Sequence, residues 1–234
     1  MKVKDYRSQI EKETSDAPRA AEATEAASAD SAGTWQGALQ MLLDGRAETK
    51  TRLEAFRILA AGMFTGLEFT PYRARFQDAL RQIAGDSNAD PALRQAALGA
   101  LVNMRDVTAR TLLSQGLRQP ASAAVPPAVA LEMLSLDDHA SAAGLAREAL
   151  ASSKEAAVRQ QAVRILGADP SAKDELRGIL QDKNEFREVR RASAVALRSL
   201  EPTAFKNDAR TILADPDDFP EIKATLKGAL DRSH

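Results

Sequence analysis

Val158-Arg159-Gln160-Gln161-Ala162-Val163-Arg164-Ile165-Leu166-Gly167 is the stretch that decides the fold. With Val158 as position zero, it reads apolar, basic, polar, polar, small, apolar, variable, apolar, leucine. Positions 0, 4, 7 and 8 share one face of an α-helix, so the stretch is an amphipathic helix with a small residue at its centre. The frame returns at Thr51-Arg52 with Ala55 and Leu59, and at Leu93-Arg94 with Ala97 and Leu101. It returns again at Val189-Arg190 with Ser193 and Leu197, and at Ile222-Lys223 with Leu226 and Leu230. A degenerate copy starts at Pro126-Pro127, with Ala130 and Leu134. The starts at 51, 93, 126, 158, 189 and 222 are separated by 42, 33, 32, 31 and 33 residues. A period near 32 is the mark of a repeat architecture.

Alanine makes up about a fifth of the chain, so a single Ala match carries little weight. The last frame position is Leu in all six copies and the second is basic in five, a joint pattern that composition does not supply. Upstream of each copy lies a shorter amphipathic segment, marked for instance by Leu39/Leu42, Leu176/Leu180 and Ala209/Ile212. Two helices per repeat predict an all-α fold: an α-solenoid of about six stacked antiparallel helix pairs over residues 34–234. A small residue at position 4 lets a neighbouring helix approach closely.

The residues Val158-Arg159…Ala162…Leu166-Gly167 and Val189-Arg190…Ser193…Leu197 resemble the HEAT family, in particular the short HEAT-like repeats also seen in bilin lyases. The likeness extends over about 34–234. It departs from the family pattern at Pro126-Pro127, which replaces the apolar-basic pair, and at Leu226, which replaces the small residue. The resemblance implies a HEAT-like superhelix and is nearly silent on activity.

Composition narrows the chemistry. The 234 residues contain no cysteine, which excludes disulfides, thiol catalysis and cysteine metal sites. A net charge of −1 gives no global attraction to nucleic acid or anionic lipid. No apolar run approaches the roughly 20 residues of a membrane span. The first residues lack the apolar core of a signal peptide, so a cytoplasmic location is expected. Residues 1–33 hold eight Ala, seven acidic and five basic residues but few large apolar groups, and read as a flexible tail.

Between Met63 and Phe76 the period lengthens by about ten residues, and the insert collects Phe64, Phe69, Tyr72 and Phe76. It reads either as a satellite core beneath a longer loop or as a sticky edge. Thr70-Pro71, Asp90-Pro91, Asp169-Pro170 and Glu201-Pro202 are expected helix starts. Gly45, Gly85 and Gly116 are expected helix stops, and Gln119–Pro127, with three prolines, is the expected bend. Arg52, Arg94, Arg159, Arg190 and Lys223 form a row at the starts of the second helices. They are expected to bond carbonyls or polar side chains of adjacent repeats, with Asn88, Ser153, Asn184 and Asp217 as candidate acceptors.

Catalytic signals are sparse. His139 and His234 are the only histidines, and Asp137-Asp138-His139 reads as helix-start capping rather than a metal site. Asp215, Asp217 and Asp218 lack the spacing of a calcium loop. No Gly-rich phosphate loop or nucleophile turn is present. The sequence therefore reads as a non-enzyme with no catalytic, metal or cofactor residues and no cofactor. Its expected role is a protein–protein interaction scaffold or adaptor, with a protein or peptide partner and neither nucleic acid nor membrane. The alternative the resemblance raises is a lyase or chaperone for a tetrapyrrole-carrying protein, with nucleic-acid binding a third reading. The concave surface should present frame positions 2, 3 and 6. Arg57, Phe69, Tyr72 and Arg73 at the N-terminal end are the expected anchors, since affinity concentrates in aromatic and Arg groups; the competing reading is that these rings are buried in a satellite core and the groove binds through Arg164 and Arg191.

Overall fold

Frame leucines need a neighbouring helix to cover them, and the computed structural model shows where that cover comes from. It describes residues 33–231 except Asp138, and among them it is helical with no strand. The helices are α1 (33–43), α2 (Thr49–Gly62), α3 (Thr70–Gly85), α4 (Pro91–Asn103), α5 (Val107–Arg118) and α6 (Pro127–Asp137). They continue as α7 (His139–Ser152), α8 (Ala156–Leu166), α9 (Lys173–Gln181), α10 (Arg187–Leu200), α11 (Pro202–Ala214) and α12 (Pro220–Asp231). Every frame falls on an even-numbered helix. The expected flexible tail lies outside the described residues, as do the side chains of Asp137, Asp138 and His139. No described helix is long and apolar enough to cross a membrane.

The chain divides into two compact units between Ile83 and Ala84. In the first, Leu39 and Leu42 of α1 are buried, as are Ala55 and Leu59 of α2 and Phe76, Leu80 and Ile83 of α3. Its centre is an aromatic cluster. Trp35 meets Phe69 edge-on at 5.3 Å and Tyr72 at 5.7 Å, and Phe69 lies 6.2 Å from Phe76. Gly62 makes the cluster possible, because a Cβ there would stand 2.6 Å from the Phe69 ring and 2.8 Å from Trp35 Nε1.

In the second unit, α5, α7, α9 and α11 pair with α6, α8, α10 and α12, while α4, α6, α8, α10 and α12 contact one another in sequence as a continuous layer. One apolar core runs through it, from Leu131 past Val158, Leu166, Leu176, Val189 and Leu197 to Ile222 and Leu226. The small frame position is buried between the helices. Ala97, Ala130, Ala162 and Ser193 have essentially no exposed surface, and the buried Ser193 hydroxyl is satisfied by donating to the Leu176 carbonyl. Leu226, which departs from the small-residue pattern, is also fully buried.

Punctuation mostly follows local chemistry. Asp90, Asp106 and Asp169 cap their helices or turns by accepting from Ala92, Thr108 and Ser171 amides, two of them ahead of a proline. Gly116 departs from expectation. It sits inside α5, which runs on to Arg118, and a Cβ on it would lie 3.1 Å from the Ala123 side chain. The close return of the 120–123 turn, rather than helix termination, is the reason for glycine there.

Candidate binding groove

Frame positions 2, 3 and 6 of α10 and α12, with positions 2 and 6 of α8, converge on one groove of about 850 Å³. Its lining includes Gln160 and Arg164 from α8, Arg191, Ala192 and Val195 from α10, and Ala224, Thr225 and Gly228 from α12. Ala192, Ala224 and Gly228 leave room for another backbone to come close, whereas Gly167 is packed against Ala196, whose side chain a Cβ there would meet at 3.0 Å. Val195, 53% exposed, adds an apolar contact.

The groove walls are fixed by the basic row at frame position 1. Each arginine reaches back to a carbonyl of the preceding helix or its end: Arg52 Nε donates to Leu42 O at 3.0 Å, Arg94 Nε to Ala84 O at 3.4 Å, and Arg190 Nε to Leu180 O at 2.8 Å. Arg159 donates to Leu150 O and, at 3.3 Å, to Ser153 O. Two of them also reach forward. Arg159 binds Glu185, and Arg190 Nη1 and Nη2 bind Asp218 Oδ1 and Oδ2 at 2.9 and 2.8 Å. The acceptors Glu185 and Asp218 stand one residue beyond the expected Asn184 and Asp217. Each also caps the turn by accepting from the next amide, Phe186 or Phe219. These forks tie α8 to the loop before α10, and α10 to the loop before α12.

Electrostatics follow the geometry. Hydrogen bonding to Glu185 holds the Arg159 guanidinium above its ordinary range. Burial pushes the Asp218 carboxyl up, but the Arg190 fork and the Phe219 amide outweigh it, so it titrates below the usual carboxylate range. Asp169 is also lowered, first by the Ser171 hydroxyl and amide and then by Arg147. Asp215 is lowered chiefly by its bond to Lys183. Within the groove the charges are less committed. Arg164 Nη1 reaches only Gln161 Oε1, at 3.5 Å, and neither Arg191 nor Glu188 has an ion-pair partner among the described residues. Ser199 and Thr225 donate their hydroxyls to carbonyls of their own helices. Among the described residues no group of three or more His, Cys, Asp or Glu side chains could hold a metal ion.

The other expected anchors separate. Arg57 and Arg73 are exposed in the first unit and Tyr72 is half-buried against Trp35. Phe69 is 0% exposed at the centre of the aromatic cluster, so it is a core residue and not an anchor. The residues that the insert does present are Phe64 and Leu67, at 92% and 89% exposure, on either side of Gly66, whose φ of +77° turns the chain. The sequence signal for them was the Thr65-Gly66 turn, which points its flanks outward while the following 3₁₀ turn carries Phe69 into the core.

Residues 144–230 match the family model of HEAT repeats. The matched stretch includes α8 to α11 and the whole groove. No curated protein matches the chain. Among solved structures, human deoxyhypusine hydroxylase in complex with glycerol is similar at 17% identity, covering 88% of this chain and 97% of that one, with a TM-score of 0.38. That neighbour is an enzyme, so the expectation of a non-enzyme is withdrawn. A likeness of that strength assigns no activity to this chain.

Proposed function

We propose that the chain is a helical-repeat scaffold that binds a protein partner, and that a peptide segment of the partner lies in the groove along α8, α10 and α12. The observation that carries this reading is the pairing of two exposed arginines, Arg164 and Arg191, with a floor of Gly and Ala. Neither guanidinium is committed to a carboxylate, whereas Arg159 and Arg190 beside them are. An arginine fork recognises carboxylates in two-point fashion, and small floor residues admit a backbone without a steric clash. The fitting segment carries an acidic side chain beside small or modest apolar ones. The groove lining contains no histidine and no aromatic ring, the contacts that the tetrapyrrole reading calls for.

The test is affinity capture from native extract with the wild-type chain and with Arg164→Glu/Arg191→Glu, read by mass spectrometry. The proposal expects a defined set of proteins to be lost from the double variant while its melting temperature is kept. An unchanged set overturns it.

A further inference from the structure

Among the described residues, the following ionic links between repeats run one way. The cation belongs to the earlier repeat and the anion to the later one. Arg147 takes Asp169 at 2.9 Å and Glu175 at 3.1 Å. In the next repeat Arg177 takes Glu201 and Asp208, both at 2.9 Å. Arg159 takes Glu185, and Arg190 takes Asp218. Arg118–Glu148, Lys183–Asp215 and Arg187–Glu221 obey the same order.

Each series has a next member. Counting from the frame starts, Arg210 follows Arg147 and Arg177, and Lys223 follows Arg159 and Arg190. Arg210 is exposed on α11, and no carboxylate among the described residues reaches it. Lys223 Nζ donates to the Pro216 carbonyl at 3.4 Å and makes no ion pair among the described residues, although its charge acts on Asp215 nearby. Lys206 and Lys227 on the same two helices make no ion pair among the described residues and add the same sign.

We propose that this face of α11 and α12 docks an acidic helix start of a partner protein, separate from the groove. Its chemistry is set by the two completed members of the series: Asp or Glu followed by Pro, then a second acid six or seven residues on, as in Asp169-Pro170…Glu175 and Glu201-Pro202…Asp208. A further acid at the start of the next helix, as Glu185 or Asp218, answers Lys223. A second copy stacked head to tail does not fit. The positions 14 and 4 residues before the frame start, which carry the acids in later repeats, are Gly37 and Ala47 in the first.

The probe is a fluorescein-labelled synthetic peptide of residues 168–188, which carries Asp169, Glu175 and Glu185, titrated with the full chain at low ionic strength and read by anisotropy. Exposed pairs are screened by salt, so binding should weaken as salt is raised. The expected result is saturable binding that falls by about tenfold or more, near 1.4 kcal/mol, in Arg210→Glu/Lys223→Glu. The same loss is expected with a peptide bearing Asp169→Asn, Glu175→Gln and Glu185→Gln. Arg164→Glu/Arg191→Glu should bind as the native chain does. No saturable binding, equal binding by Arg210→Glu/Lys223→Glu, or equal binding of the neutralised peptide overturns the proposal. Loss in the Arg164/Arg191 variant alone also overturns it and assigns the peptide to the groove. Unchanged melting of both variants confirms that folding is not what the binding reads.

Discussion

Arg190 and Asp218 meet as a two-point fork, nitrogen to oxygen at 2.8–2.9 Å, with side chains 0% and 2% exposed. Arg190 also spends its Nε on the Leu180 carbonyl, and Asp218 accepts from the Phe219 amide. A buried pair satisfied this fully is costly to break, because the surviving partner is left charged and unsolvated. Asp218→Ala should therefore destabilise the second unit by about 3–5 kcal/mol. Arg118→Ala, which breaks a pair with Glu148 that is more than half exposed on both sides, should cost within about 1 kcal/mol. Urea denaturation separates the two. Similar small losses at both sites would show that Arg190 finds another acceptor.

The lowered carboxyls give the fold an acid limit. Asp169, Asp215 and Asp218 bind protons less readily folded than unfolded, so their contribution is full above the unfolded value near pH 4 and is lost as pH falls through the folded values. Stability should be flat between about pH 7 and 5 and then decline. Asp169→Asn/Asp215→Asn should be less stable at neutral pH and decline less steeply in acid. Parallel pH profiles for the two proteins would refute the assignment.

Gly62→Ala sets two effects of opposite sign against each other. Alanine is favoured over glycine inside a helix by about 0.8–1.0 kcal/mol. Against that, the added methyl would overlap the buried Phe69 ring and the Trp35 indole, and overpacking costs about 1–3 kcal/mol. Overpacking should win, with a lower melting temperature and altered Trp35 fluorescence. A stabilised variant would mean that the ring cluster yields easily.

Leu166 is fully buried in mid-stack, while Leu230 in α12 is only partly buried. Leu166→Ala should cost about 2–5 kcal/mol through lost burial and the cavity left behind. Leu230→Ala should cost clearly less, because solvent already reaches the site. Chemical denaturation of both measures the difference.

The two layers were legible because helical period and repeat period act together. Once Leu59, Leu101, Leu134, Leu166 and Leu197 were assigned to the core, positions 2, 3 and 6 had to face away from it. That is how Arg164 and Arg191 could be placed on one surface from the sequence, although the binding anchors were expected first at the N-terminal end. Loops resisted, because their geometry is not periodic. A one-residue difference in turn phase moved the arginine acceptors from Asn184 and Asp217 to Glu185 and Asp218. A four-residue 3₁₀ turn likewise carried the expected anchor Phe69 into the core and left Phe64 exposed.

The one-way order of the ionic links makes the array modular in a testable sense. If residues 168–200 were duplicated in tandem, the first copy's Arg177 would find Asp169 and Glu175 of the second, and its Arg190 would find Glu185. Lys183 and Arg187 would find Asp182 and Glu188, which stand 33 residues before their present partners Asp215 and Glu221. Every ionic coupling would be replaced by an equivalent one, so none of these links stands against lengthening the chain by gene duplication at this point. Exchanging the order of two repeats would likewise leave cation facing acid, because every repeat carries both in the same order.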